Sequence, residues 1–117
     1  MTPFGEKLRA MRLERGISQK DMAESLGISS AYLSALEHGR RGKPTWALLQ
    51  RIIGYFNVIW DEAEELQTFA AHSHPRVVID TAGLNPKATL LANLLSENIQ
   101  DLEITRLDEI IALIEKS

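Results

Sequence analysis

The chain contains no cysteine, which excludes disulfide frameworks, cysteine-ligated zinc, iron–sulfur clusters and thiol nucleophiles. It has no window near the ~20 consecutive apolar residues that a bilayer crossing requires, so no membrane partner is expected. Its start, Met1 to Lys7, lacks the basic head, apolar run and small-residue cleavage site of a secretory signal. A cytoplasmic, reducing compartment is therefore the expectation. Internal repeats and low-complexity segments are also missing. What is present is globular in composition: 117 residues, 44% hydrophobic and 25% charged. That length suits one domain, or a small domain with an appendage. The net charge of −3 and an isoelectric point near 5.6 argue, taken as a whole, against a nucleic-acid partner.

The whole-chain charge hides a strong asymmetry. Residues 1–57 carry nine Lys or Arg against five Asp or Glu, a balance of +4. Residues 58–117 carry four against eleven, a balance of −7. A basic front and an acidic back suggest one surface for a polyanion and another for a different task.

The front half reads as closely spaced short helices. Phe4, Leu8 and Met11 fall at helical spacing up to Gly16. Ser18 starts a second helix, with Asp21 as a weak capping-box partner, and Gly27 stops it. Ser29 caps a third, with Leu33 and Leu36 inward, which closes at His38-Gly39. Arg40-Arg41-Gly42-Lys43-Pro44 is a loop by composition. Thr45 caps a fourth helix carrying Leu49, Ile52, Ile53 and Phe56. A fifth is expected from about Val58 to Ala71, using Ile59, Ala63, Leu66 and Ala70. His72-Ser73-His74-Pro75 breaks the pattern and divides residues 1–71 from residues 72–117. Beyond it, Arg76–Asp80 is a short β-branched run bounded by Pro75 and the Thr81-Ala82-Gly83 turn, and reads as a strand. Asn85 then caps a helix with Pro86 at its first position, and a last helix uses Ile104, Leu107, Ile111 and Ile114.

The expected architecture is mainly α: a five-helix head containing a helix-turn-helix, then a C-terminal short strand and two helices. In the helix-turn-helix, Ala23 is small where the second and third helices cross. Gly27 permits the tight turn, and Ile28, Leu33 and Leu36 fill the wedge behind it. On these residues the chain resembles the lambda-repressor and Cro-like regulators, the XRE family. The likeness runs from Phe4 to Phe56, about half of the chain. It is carried by Leu8-Arg9-Ala10-Met11-Arg12, Gly16-Ile17-Ser18-Gln19, Met22 through Ser29, and Leu33 through Gly39.

The resemblance implies that the third helix enters the DNA major groove N-terminal end first. Ser29, Ser30, Ala31, Tyr32, Ser34 and Ala35 would then face the bases. This face lacks the Arg, Asn and Gln that make bidentate base contacts. Tyr32 is its one large hydrogen-bonding group, so DNA shape must contribute to specificity. Phosphate contacts are expected from Gln19 and Lys20 at the start of the second helix, where N–H groups and the helix dipole attract anions. Arg40, Arg41 and Lys43 in the loop, with Gly42 leaving the backbone free to approach the duplex, and Thr45 complete the phosphate set. Arg12 and Glu37 occupy positions that pair as a partly buried salt bridge in the family, a structural role.

Other motifs weigh less. Gly39 to Thr45 has too short a gap for a phosphate-binding P-loop, and Pro44 after Lys43 prevents a helix there. His72 and His74 read as polar linker residues rather than metal ligands, and no cofactor is expected. Ser, His and Asp occur without catalytic spacing, so an enzyme is not expected. Trp46 and Trp60 read as core or interface anchors.

The C-terminal region has more large aliphatics than two short helices can bury. Val77, Val78, Ile79, Leu90, Leu91, Leu94, Leu95, Leu107, Ile110, Ile111 and Ile114 are the expected homodimer interface, with the Arg76–Asp80 strand pairing across the axis. The acids would hold this end away from double-stranded DNA. The functional expectation is a bacterial or phage-like transcriptional regulator, nucleoid-associated, repressing from a palindromic operator. The alternative is an antitoxin whose C-terminal half binds a protein partner while the same helix-turn-helix controls its own operon. A ligand- or metal-responsive sensor is the third reading.

Overall fold

The computed structural model describes all 117 residues, which form seven α-helices and no strand. They divide into two compact units, Met1–Val77 and Val78–Ser117.

The first unit holds five helices: α1 (Pro3–Glu14), α2 (Gln19–Leu26), α3 (Ser30–Glu37), α4 (Trp46–Phe56) and α5 (Asp61–Ala71). Four of them begin at a side chain that satisfies one of the unpaired N–H groups of a first turn. Thr2 accepts from Gly5, Ser18 from Asp21, Ser29 from Tyr32 and Thr45 from Leu48, at 3.0 to 3.2 Å. Gly27 ends α2 in the left-handed region, φ +73°, which a residue with a Cβ adopts only at a cost. The core joins Phe4, Leu8, Met11, Met22, Ala23, Leu26, Leu33, Leu36, Leu48, Leu49, Ile52, Phe56, Val58, Leu66 and Ala70. Each large aliphatic side chain in it contributes about 1.5–3 kcal/mol through burial. α1 lies against α3 and α5, and α2 against α3 and α4.

Of the glycines, Gly5 has the most crowded surroundings. A Cβ there would collide with the Leu36 carbonyl and sit 2.8 Å from that of Glu37. α1 and the end of α3 therefore touch backbone to backbone.

α5 starts later than the apolar spacing predicts. Asn57 and Trp60 both take positive φ, +54° and +52°, so the chain turns before Asp61. Ile59 is left exposed. Trp60 is 83% exposed and Trp46 68% exposed; neither is a core anchor. Three acids fill the first turn of α5, where the helix dipole favours negative charge, and Glu65 pairs with Lys7 at 3.3 Å. These acids belong to the first unit. By unit the charge is therefore ten basic against nine acidic residues, then three against seven. The first unit is thus close to neutral and the second acidic.

The second unit contains α6 (Pro86–Asn98), a 3-10 turn (Ile99–Asp101) and α7 (Ile104–Glu115). Asn85 caps α6 by accepting from Lys87 at 2.8 Å. None of its residues is buried. Leu90, Leu91, Leu94, Ile111 and Ile114 are exposed, and Leu95, Leu107 and Ile110 are half-buried. Leu91 and Leu95 of α6 and Ile110, Leu113 and Ile114 of α7 line one open apolar groove.

The expected strand at Arg76–Asp80 does not form. Val77, Val78 and Ile79 lie outside regular structure and are 59–88% exposed. β-branched residues suit a pleated surface, but a strand exists only by bonding to a neighbour. This chain supplies no neighbouring strand. No helix is long and apolar enough to cross a membrane.

Candidate nucleic-acid interface

The arrangement of α2, turn and α3 begins from a buried ion pair. Glu37, fully inaccessible at the last position of α3, accepts from Arg12 Nε at 2.7 Å and Arg12 Nη2 at 3.0 Å. Arg12 Nη1 donates to the Ile17 carbonyl at 2.9 Å. The guanidinium thus grips the α1–α2 turn and α3 at once. Its hydrogen bonds to Glu37 raise the Arg12 pKa, with burial opposing them. Gln19 joins the same cluster, its Nε2 donating to Glu37 Oε1 at 3.0 Å. One amide hydrogen and the carbonyl oxygen of Gln19 remain uncommitted, at the first position of α2 where backbone N–H groups gather.

On α3, Ser29, Ser30 and Ala31 are exposed, while Tyr32, Ser34 and Ala35 are half-buried. Ser29 uses its oxygen as the helix cap and keeps its hydroxyl hydrogen for a donor role. Tyr32 lines a shallow concavity with Ile28, Ser29, Thr45, Leu48 and Arg51. The starts of α3 and α4 therefore border one recess, with the caps Ser29 and Thr45 on its wall.

The basic loop folds back over the end of α3. The Arg40 and Arg41 N–H groups both donate to the Ala35 carbonyl, at 2.9 and 3.1 Å. Arg40 Nη2 reaches Ser34 Oγ at 3.5 Å, and His38 Nδ1 donates to the Ser34 carbonyl at 2.8 Å. Ser34 on the helix and Arg40 in the loop are thus neighbours. Arg40, Arg41, Lys43 and Lys20 are exposed, as phosphate contact requires. Gly42 is half-buried, and a Cβ on it would meet Pro75, Ser73 and His74.

Three participants escape sequence reasoning. Arg51 Nη1 donates to the Leu26 carbonyl at 2.8 Å, satisfying an end group of α2. Ser73, 1% exposed, accepts from the Phe4 N–H at 2.9 Å and donates to the Phe69 carbonyl. Gly5 makes the α1–α3 contact. Each has a partner distant in sequence or hidden in backbone, so no local spacing signals it. His72 and His74, flanking Ser73, are exposed, and no three His, Asp or Glu side chains converge as a metal site.

The helix-turn-helix domain family model matches residues 3–66. The chain belongs to that family. Its head is the DNA-binding module of XRE-like transcriptional regulators, a regulatory rather than an enzymatic family. The chain is 36% identical over 72 residues to RghRB of Bacillus subtilis, a helix-turn-helix-type transcriptional regulator, covering 62% of this chain and 50% of the relative. It is 40% identical over 52 residues to the transcriptional repressor RghR of the same organism, covering 44% of this chain and 38% of the relative. The chain thus spans half or less of the length of these relatives. Among solved structures it resembles the SinR protein/SinI protein complex, with a TM-score of 0.47, 17% identity, and coverage of 96% of this chain and 94% of that one.

Proposed function

We propose that the chain is a transcriptional repressor in the cytoplasm, on the nucleoid, that binds a two-fold operator as a homodimer. The observation that carries this reading is the continuity of one exposed surface. The start of α3, the cap of α4 and the Arg40–Lys43 loop adjoin, with Ser34 and Arg40 in contact. In this reading the N-terminal turn of α3 enters the major groove. Tyr32 and Ser34 read base edges, and Ala31 and Ala35 meet thymine methyls. Arg40, Arg41 and Lys43 take the phosphates flanking the groove, while Gln19, Lys20 and Thr45 take those at the helix starts.

The homodimer rests on the second unit. Its α6 and α7 leave Leu90, Leu91, Leu94, Ile111 and Ile114 in solvent, and helices this short are marginal without a packed partner. A second copy of the same groove supplies an equal apolar face, and a two-fold dimer places two α3 helices at matching half-sites. The relative named a repressor supports the direction of regulation.

The test is binding to random-sequence and selected duplex DNA over a range of salt. Replacing Arg40 and Arg41 with Ala should weaken binding to both and flatten the log–log salt dependence by about 0.9 for each phosphate no longer neutralised. An unchanged slope would remove both residues from the phosphate set.

A further inference from the structure

Apart from the caps Ser29 and Thr45, the Arg40–Lys43 loop is the part of the proposed reading surface that lies outside a helix. A loop that must be ordered on binding loses affinity to that ordering. This one is tied at two places. At its start, the Arg40 and Arg41 N–H groups share the Ala35 carbonyl. At Gly42 the backbone meets a remote stretch of the same unit. A Cβ built there would lie 2.7 Å from Pro75 Cδ, 3.0 Å from the Ser73 carbonyl oxygen and 3.3 Å from the His74 Cα. No ordinary side chain is accommodated at that distance.

The remote stretch is itself anchored. The buried Ser73 hydroxyl accepts from the Phe4 N–H and donates to the Phe69 carbonyl, joining the start of α1 to the end of α5. The residue after Phe4, Gly5, lies against the Leu36 and Glu37 carbonyls at the end of α3. The contacts therefore close a ring: the end of α3, the basic loop, Ser73–Pro75, the start of α1, and the end of α3 again.

We propose that Ser73–Pro75 is a brace that sets the path of the basic loop, and that Gly42 and Ser73 are positioning residues for DNA binding. Neither carries charge or touches DNA; they hold Arg40, Arg41 and Lys43 at the height of the phosphates. This inference rests on the reading of that loop as the phosphate-contacting one.

The experiment compares full-length Arg40→Ala/Arg41→Ala, Gly42→Ala, Gly42→Ala/Pro75→Ala and Ser73→Ala by fluorescence anisotropy on a random-sequence duplex across a salt series. Thermal melts define a temperature at which every variant is folded. Gly42→Ala is expected to bind about tenfold or more weaker at low salt and to flatten the slope by about 0.9 for each phosphate the loop ceases to reach. Ser73→Ala, which adds no bulk, should move the slope in the same direction. Gly42→Ala/Pro75→Ala, which removes the ring atom in the way, should return it toward wild type. A merely destabilising change would lower the melting temperature and leave the slope of the folded protein alone. If Gly42→Ala does not fold, Ser73→Ala carries the test. The brace is overturned if the double arginine variant flattens the slope while folded Gly42→Ala and Ser73→Ala keep it at wild type. If the double arginine variant also keeps the wild-type slope, the phosphate reading of the loop fails, and the brace with it.

Discussion

Arg12→Ala is the perturbation whose size the structure states best. Glu37 is fully buried and accepts three hydrogen bonds, two from Arg12 and one from Gln19. Removing the guanidinium leaves a buried carboxylate with a single neutral donor. Breaking a buried pair from one side costs about 3–5 kcal/mol, because the surviving charge has lost its compensation. The Ile17 carbonyl also loses its donor. A domain of this size has about 5–15 kcal/mol of stability in total, so the variant should lie near the edge of folding. At about 4–8 °C per kcal/mol, the melting temperature should fall by at least ~12 °C. Urea unfolding followed by circular dichroism measures the loss. Because Glu37 raises the Arg12 pKa, this stabilisation is fully present below the ordinary arginine value and fades only above the raised one. The wild-type advantage attributable to Arg12 should therefore show no alkaline fall-off up to about pH 10. Replacing both partners with apolar residues of similar volume should recover much of the loss. A change below about 1 kcal/mol in Arg12→Ala would refute the reasoning, since that is what a solvated surface pair is worth.

Gly5→Ala should destabilise by about 1–3 kcal/mol through overpacking. Denaturation midpoints check this, and a neutral result would mean that α1 and α3 do not touch. Tyr32→Ala with Ser34→Ala should relax sequence preference more than it weakens random-duplex binding; selection of bound sites reads the difference, and an unaltered preferred site sinks the assignment of α3. Leu94→Asp or Ile111→Asp should convert a dimer to monomer in sedimentation at micromolar concentration, since each buried aliphatic contributes about 1.5–3 kcal/mol per copy. A monomeric wild type, or a dimer indifferent to both changes, would end the homodimer proposal.

The proposed reader is sparse in strong base-specific groups. Its α3 offers serine, alanine and a single tyrosine, each compatible with several bases. Discrimination should then come largely from where the phosphates lie, which depends on groove width and duplex bending. That is the setting in which the height of a basic loop matters, and in which two uncharged residues, Gly42 and Ser73, influence affinity through a backbone contact.

The helix starts were legible in the sequence because a cap is local. Ser18, Ser29, Thr45 and Asn85 each bond an N–H within three residues, so spacing alone locates them. The α2–turn–α3 unit was legible for the same reason, from Ala23, Gly27 and the apolar wedge behind them. Pattern misled where the deciding partner is remote. Ile59 fits a helical stripe, yet two positive-φ residues, Asn57 and Trp60, turn the chain ahead of α5. Val77–Ile79 has the residues of a strand but no strand to bond to.

By itself, then, the sequence determined the helical class of the head, its turn chemistry, and the absence of any thiol or cysteine-metal chemistry, since these depend on residue type and neighbours along the chain. Tertiary structure alone decided which backbone segments touch: Gly5 on α3, Gly42 on Ser73–Pro75, Arg51 on the end of α2. The physical reason is one of range. Propensity and capping act over a turn, whereas close packing and buried hydrogen bonds join residues that only the folded chain brings together.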